Sequence, residues 1–297
     1  MPSACRLDDF FRDRLRRLEA SGAPEPRLNL GHLLARRLGL PRLELALHGA
    51  DILSETDRSA VDAEIERLMA GEPLQYILGD VPFHGLAIRT DRRALIPRPE
   101  TEWLVEQILA CDSVWSDASP RLVDVGTGTG CIALALSAAK PQARLLAVDR
   151  DPGALELARE NRDRLGLAGR VELHQGDLLT GLPDGAFDAV VSNPPYIPSA
   201  VCTTLDRPVR DHEPRQALDG GPDGLAVIRR LVPQARLCLK PGGSIWLEIG
   251  FDQGAAVKAI LGDTGFERAQ IRRDIAGLDR LACGWRPDSV PPRKSGY

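Results

Sequence analysis

The sequence predicts an α/β protein: a doubly wound, mostly parallel sheet follows a small N-terminal helical bundle, and a β-hairpin joins the two. Three observations carry this. From about residue 99 onward, apolar runs of strand length alternate with helical stretches. One run, Arg121–Val125, passes through a glycine-rich turn straight into a helical stretch. Residues 1–80, in contrast, read as helical, with leucine stripes at helical spacing.

The bundle comes first. Leu7, Phe10, Phe11, Leu15 and Leu18 share one helical face, and Gly22 is the stop signal. Leu30, Leu33, Leu34 and Leu38 repeat the pattern before Gly39, and Val61, Ile65 and Leu68 repeat it before Gly71. These stripes are core residues. The basic cluster Arg12, Arg14, Arg16 and Arg17 lies on the first helix and reads as a solvated face, with RNA contact as the functional alternative. Residues 81–98 are expected to form the hairpin linker, with strands spanning Val81 to Ile96.

Residues 99–286 carry the sheet. Arg121–Val125 is a short buried strand, and Gly126-Thr127-Gly128-Thr129-Gly130 turns it into the helical stretch Cys131–Leu136. The glycines permit a tight turn and close approach of a ligand to the backbone. The next strand, Arg144–Val148, ends in Asp149, about 20 residues beyond the glycines, where an acid can grip ribose hydroxyls. Asp151 is placed to cap the following helix, with Pro152 at its first position. A third strand, Val171–Gln175, is closed by Gly176-Asp177-Leu178, and Asp177 is placed to accept the hydrogens of an adenine amino group. The fourth is Phe187–Ser192, the fifth Ser244–Ile249 entered by Lys240–Gly243, and Glu267–Arg273 with Leu281–Trp285 form a final antiparallel pair. Residues 287–297, rich in Pro, Ser and charge, read as a mobile tail.

Asn193-Pro194-Pro195-Tyr196 stands at the carboxyl end of the fourth strand, where open α/β sheets bind ligands. The prolines remove two N–H donors and leave acceptors. The Asn193 side-chain oxygen and the Pro194 carbonyl can each accept one hydrogen from a planar –NH2 group, and Tyr196 offers a flat face for it. A Pro-rich turn without chemistry is the bland alternative. The spacing Gly-x-Gly-x-Gly favours S-adenosyl-L-methionine over a nicotinamide dinucleotide, and an amino-group clamp suits methylation of a planar nitrogen.

Composition bounds the rest. A chain of 297 residues holds one large or two moderate domains. There is no membrane-length apolar run and no signal or transit pattern. The six scattered cysteines, with no Cys-x-x-Cys, read as reduced thiols of a cytoplasmic protein and suggest no metal site. The formal net charge of −4 provides no general attraction to nucleic acid.

Ordered pieces along nearly the whole chain resemble a known family. They are Gly71-Glu72-Pro73-Leu74-Gln75-Tyr76-Ile77-Leu78-Gly79, Leu95-Ile96-Pro97-Arg98-Pro99-Glu100-Thr101-Glu102, and Asp124–Gly130. Asn193–Ile197, Glu213-Pro214, Ala217–Leu225 and Leu247-Glu248-Ile249-Gly250 follow. Together they resemble the class I methyltransferases that modify glutamine side-chain nitrogen, and among these the release factor glutamine N5-methyltransferase family. The resemblance implies a seven-stranded class I methyltransferase sheet and a substrate-recognition role for residues 1–80. It also implies S-adenosyl-L-methionine as cofactor, held by Gly126, Thr127, Gly128, Thr129, Gly130, Asp149, Asp177, Leu178 and Asn193. The substrate would be the glutamine of the Gly-Gly-Gln loop of peptide chain release factors. Asn193, Pro194, Pro195 and Tyr196 would bind it, with Asn193, Pro194 and Tyr196 as the catalytic set. A monomer is expected, with no membrane or direct nucleic-acid partner. Arg98 and Glu100 would order a lid or form a structural salt link. His84 stands where the family commonly has an aromatic, and reads as an exposed hairpin residue. The related ribosomal-protein glutamine methyltransferases usually carry Pro-Arg-Ser-Pro where this chain has Pro97-Arg98-Pro99-Glu100. The other readings are an adenine N6-methyltransferase and a catalytically silent S-adenosylmethionine-binding adaptor.

Overall fold

The computed structural model describes residues 5–288, so most of the tail predicted at 287–297 lies outside the described residues. The chain forms two compact units. One takes in the chain up to Asp80 together with Asp206–His212, and the other comprises Val81–Leu205 and the chain from Glu213 onward.

In the first unit, strand β1 (Cys5–Arg6) pairs antiparallel with β2 (Ile52–Leu53). Helices α1 (Leu7–Ser21), α2 (Pro26–Leu38), α3 (Glu55–Met69) and α4 (Leu74–Leu78) enclose Leu7, Phe10, Leu18, Leu30, Leu33, Leu34, Val61 and Ile65. Gly22 and Gly39 end α1 and α2 in the left-handed conformation, and Ser54 caps α3 by accepting from Asp57 N. The basic cluster is engaged within the bundle. Arg14 binds Asp62 with Nε and a terminal nitrogen, Arg17 pairs with Glu66, and Arg12 pairs with Asp9. The first two pairs tie α1 to α3, and the third lies within α1.

The second unit opens with the hairpin β3 (Asp80–Phe83) and β4 (Leu86–Arg89). Its turn residues, His84 and Gly85, both have positive φ, the pattern of a two-residue hairpin turn. The hairpin is shorter than expected. It ends at Arg89, because Asp91 turns the chain: Ala94 N donates to the Asp91 carbonyl and Arg93 N to its side chain. Residues 90–98 run as an irregular segment into α5 (Pro99–Leu109).

The sheet strands are β5 (Arg121–Val125), β6 (Arg144–Asp149), β7 (Val171–Gln175), β8 (Phe187–Ser192), β9 (Leu239–Glu248), β10 (Glu267–Arg273) and β11 (Asp279–Trp285). Their order is β10-β11-β9-β8-β5-β6-β7, with β11 antiparallel to both β9 and β10. This is the seven-stranded sheet that the resemblance implies. Two strand starts differ from the sequence expectation, and β9 ends one residue early, at Glu248. β9 begins at Leu239, since Lys240–Gly243 form an irregularity within the strand, and pairing jumps from Phe187↔Leu239 to Ala189↔Ser244. β11 begins at Asp279, through its pairing with Arg273.

Both faces of the sheet are covered. Leu122, Ala189, Val191 and Trp246 pack under α5 and α6 (Cys131–Ala139). Val123, Val190, Ile245 and Leu247 point the other way, toward Ile228, Leu231 and Val257. These belong to two further helices. With α7 (Pro152–Arg164), α8 (Ser199–Cys202) and α9 (Arg207–His212) preceding them in the chain, they are α10 (Ala226–Cys238) and α11 (Gly254–Asp263). Apolar residues on successive positions are what a strand buried on both faces requires. No helix among the described residues is long and apolar enough to cross a membrane.

Candidate active site

A cavity opens at the carboxyl ends of β5, β6 and β8. Gly126, Thr127, Gly128 and Thr129 form its floor, and Val148, Asp149, Ala154 and Leu178 border it on one side. Gly126, Gly128 and Gly130 all have positive φ, which lets the loop turn sharply across the end of β6, where Gly126 N and Thr127 N donate to the Val148 carbonyl. A side chain on Gly126 would meet no protein atom within 4 Å, so the loop leaves open space against its backbone. Gly130 has another role. A methyl there would press on Leu134 and Ala158 at 3.1 and 3.3 Å, so this glycine permits close packing of α6 on α7, and it does not line the cavity.

Asp124 and Asp149 brace the loop. Asp124 is fully buried, and its Oδ2 accepts from Thr127 Oγ1 (2.6 Å) and Ala133 N (3.3 Å). Burial pushes its carboxyl up to about 7. Its Oδ1, like Thr129 Oγ1, is buried and has no protein partner. Asp149 accepts from Gly128 N (2.9 Å) and Asp151 N (3.0 Å), and burial raises its carboxyl above the usual aspartate range despite these bonds. Asn161 on α7 is buried and bonds three backbone groups on two segments: it accepts from Arg89 N and donates to the carbonyls of Arg89 and Thr129. Asp177 lies at the rim, ion-paired with Arg230, and Leu178 beside it has positive φ.

The opposite rim is formed by residues 93–97 and 214–219. Glu213, 5% exposed, accepts from Ile96 N (3.2 Å) and pairs with Arg98. Arg98 therefore forms a structural salt link between two segments of the rim. Gln216 bonds the Asp151 side chain, fastening the second segment to the start of α7. Glu100 sits in the first turn of α5, where a helix terminus favours an acid. His84 is half-buried, not exposed, and its N–H donates to Glu102 of α5 at 3.1 Å.

Asn193 and Pro195 line the cavity; Pro194 and Tyr196 do not. The Asn193 amide is anchored. Its Nδ2 donates to Thr101 Oγ1 at 3.0 Å, and Thr101 Oγ1 donates to Glu248 Oε2 at 2.7 Å. Tyr196 donates its hydroxyl to Glu248 Oε1 at 3.2 Å. Glu248 ends β9 and is 1% exposed; burial pushes its carboxyl up to about 7, and burial also raises the Tyr196 phenol. Among the described residues no donor reaches Asn193 Oδ1 or the Pro194 carbonyl. Asn193 is half-buried at the cavity, whereas Pro194 is buried behind it.

The backbone behind the tetrapeptide has no slack. Gln253 Nε2 donates to the Tyr196 carbonyl at 2.9 Å, and Ile197 N donates to the Leu218 carbonyl at 3.0 Å. A methyl on Gly220 would lie 2.7 Å from the Pro195 carbonyl, and one on Gly224 would overlap that of Tyr196. This is the physical reason for Gly220 and Gly224.

Thr101, Glu248, Asp124, Asn161 and Glu213 are site-building residues that sequence reasoning did not assign. Glu248 had a visible signal: an acid closing the apolar run Ile245-Trp246-Leu247 must be buried with partners.

Residues 101–205 match the Methyltransferase small domain family, and residues 12–79 match the PrmC N-terminal domain. A solved methyltransferase from Pyrococcus furiosus, 18% identical, aligns with a TM-score of 0.50 over 68% of this chain and 90% of that one, a likeness of fold. Sheet order, glycine loop and strand-end acid together define a class I methyltransferase. The release factor glutamine methyltransferases of Deinococcus radiodurans and Moorella thermoacetica are 42% and 43% identical to it over 276 and 279 residues, covering 93% and 92% of this chain and 97% and 96% of theirs. The chain belongs to the release factor glutamine methyltransferase family.

Proposed function

We propose that this enzyme transfers a methyl group from S-adenosyl-L-methionine to the side-chain amide nitrogen of the glutamine in the Gly-Gly-Gln loop of peptide chain release factors, tuning translation termination in the cytoplasm. One observation carries the reading: Asn193, its amide anchored through Nδ2, lines a cavity floored by a glycine loop.

The cavity residues fit the cofactor. Gly126 and Gly128 leave room at the backbone, Asp149 stands where ribose hydroxyls need an acceptor, and the unpartnered Asp124 Oδ1 and Thr129 Oγ1 mark polar capacity behind the loop. Asp177 would meet the adenine amino group once its carboxylate is shared with Arg230. When bound, S-adenosyl-L-methionine supplies a methyl group on a sulfonium centre.

The protein's part is positioning. An amide nitrogen is a weak nucleophile, because its lone pair is delocalised into the carbonyl. Asn193 Oδ1 and the Pro194 carbonyl accept the two amide hydrogens, fix the nitrogen and favour positive charge growing on it. Such alignment of reactants supplies on the order of 7–11 kcal/mol in favourable cases. Pro195 and Tyr196 wall the amide plane. A glutamate has no N–H to offer and would set its oxygens against two acceptors; sites of this kind reject the wrong analogue by roughly 10⁴.

The test is methyl transfer from labelled cofactor to purified release factor, beside a release factor whose Gly-Gly-Gln glutamine is changed to alanine. Label in the first alone supports the reading. Transfer only to ribosomal protein or to nucleic acid would replace the substrate.

A further inference from the structure

We propose that Glu248 sets the polarity of the substrate clamp, acting through Thr101 as a positioning residue. The inference rests on the glutamine reading above.

A hydroxyl has one hydrogen, and a carboxylate oxygen only accepts. With Glu248 ionised, the Thr101 hydrogen is committed to Glu248 Oε2 at 2.7 Å. Thr101 then has only lone pairs for Asn193, 3.0 Å away. Asn193 must therefore present its NH2 to Thr101 and its oxygen to the cavity. The second carboxylate oxygen receives the Tyr196 hydroxyl, so the same acid holds both ends of the tetrapeptide. The face that reads the substrate is thus decided two hydrogen bonds behind it.

An amide at position 248 reverses the chain of donors. Its NH2 can donate to Thr101, whose hydrogen then turns to Asn193 Oδ1. Asn193 would flip and aim donors at the substrate's own donors. Protonation of Glu248 has the same effect. Around Glu248 stand Glu100 of α5, Cys131 of α6, Tyr196 and Arg280 of β11. Arg280 favours the carboxylate, whereas Glu100 and burial oppose it.

The experiment compares full-length wild type with Thr101→Val, Thr101→Ser and Glu248→Gln. Three quantities are read: kcat and KM for release factor, the dissociation constant for cofactor, and the NMR signals of the Asn193 side-chain amide in the cofactor-free protein. Thr101→Val and Glu248→Gln should lose about 10- to 100-fold in kcat, the scale of a small misplacement of reacting groups. Cofactor affinity should stay near wild type. Thr101→Ser keeps the hydroxyl and should restore activity. Wild-type kcat should fall as pH drops through about 7, a limb that Thr101→Val lacks. The Asn193 amide signals should move in Thr101→Val and Glu248→Gln and stay in Thr101→Ser. Wild-type kcat in Thr101→Val, equal damage in Thr101→Ser, or unmoved amide signals would each overturn the proposal. If Glu248→Gln does not fold, the Thr101 pair decides alone. If wild type does not methylate release factor, the glutamine reading fails, and the amide signals still test the relay.

Discussion

Thr101 Oγ1 receives the Asn193 side-chain NH2 at 3.0 Å across 92 residues of sequence. The amide of Asn193 therefore has one oriented acceptor to give, and removing it should be costly. Asn193→Ala should lower kcat for release factor by about 10²–10³, comparable to loss of one oxyanion donor, or about 2.7–4 kcal/mol. Cofactor affinity should change little. Steady-state kinetics with parallel calorimetry checks this; full activity would remove the clamp from the mechanism.

Asp149 is predicted to act on the cofactor instead. Asp149→Ala removes the acceptor proposed for ribose and frees the N–H groups of Gly128 and Asp151. A charge-assisted hydrogen bond is worth about 1.5–3 kcal/mol, so affinity should drop roughly 10- to 100-fold. Calorimetric titration of cofactor measures it, and unchanged affinity would refute the ribose role.

Gly224→Ala should destabilise the second unit. Its φ of +75° costs an L-residue about 1–2 kcal/mol, and overlap with the Tyr196 carbonyl adds about 1–3 kcal/mol. A lower Tm together with reduced kcat is expected, because the strain falls on the backbone of Tyr196, next to the proposed clamp.

Arg98→Ala leaves Glu213 buried without its cation. Arg98 is about one-third exposed, so the cost should fall below that of a fully buried pair, about 1–3 kcal/mol. Thermal unfolding should show this loss, and cofactor titration should show a looser rim.

The pH dependence of stability should carry the mark of Asp124. Its carboxyl is raised from 3.8 to about 7 by burial. The folded state therefore binds more protons than the unfolded state between these values. The stabilising contribution is fully present below about pH 3.8 and is lost as pH rises through about 7. Asp124→Asn cannot titrate. The Tm of wild type relative to this variant should fall as pH rises across the window; a constant difference would show that Asp124 does not titrate there.

The parts of the fold legible in sequence were those with a local signature. Strands Arg121–Val125, Val171–Gln175 and Phe187–Ser192 match their predicted bounds, because a glycine or the Asn193-Pro194-Pro195 turn follows each directly. The start of β9 is not legible, since Lys240-Pro241-Gly242-Gly243 reads as a turn yet remains in the sheet as an irregularity. The hairpin reads longer in sequence than it is, because apolar residues at Ala94 and Ile96 are buried without being paired in a strand. In the site, the glycine loop, Asp149 and Asn193 stood out through local spacing. Thr101 did not, and its bond to Glu248 spans 147 residues and forms only when α5 packs beside β9. Gly130 was grouped with its neighbours by motif, whereas helix packing accounts for it.

Asn161 links the end of the hairpin, the last carbonyl-bearing turn of the glycine loop and helix α7 through a single buried amide. Segments joined in this way open to solvent together. In hydrogen exchange, Arg89, the 126–130 loop and the middle of α7 should behave as one cooperative unit with a shared opening free energy. A ligand that orders the loop would then slow exchange in the hairpin, at residues it never touches.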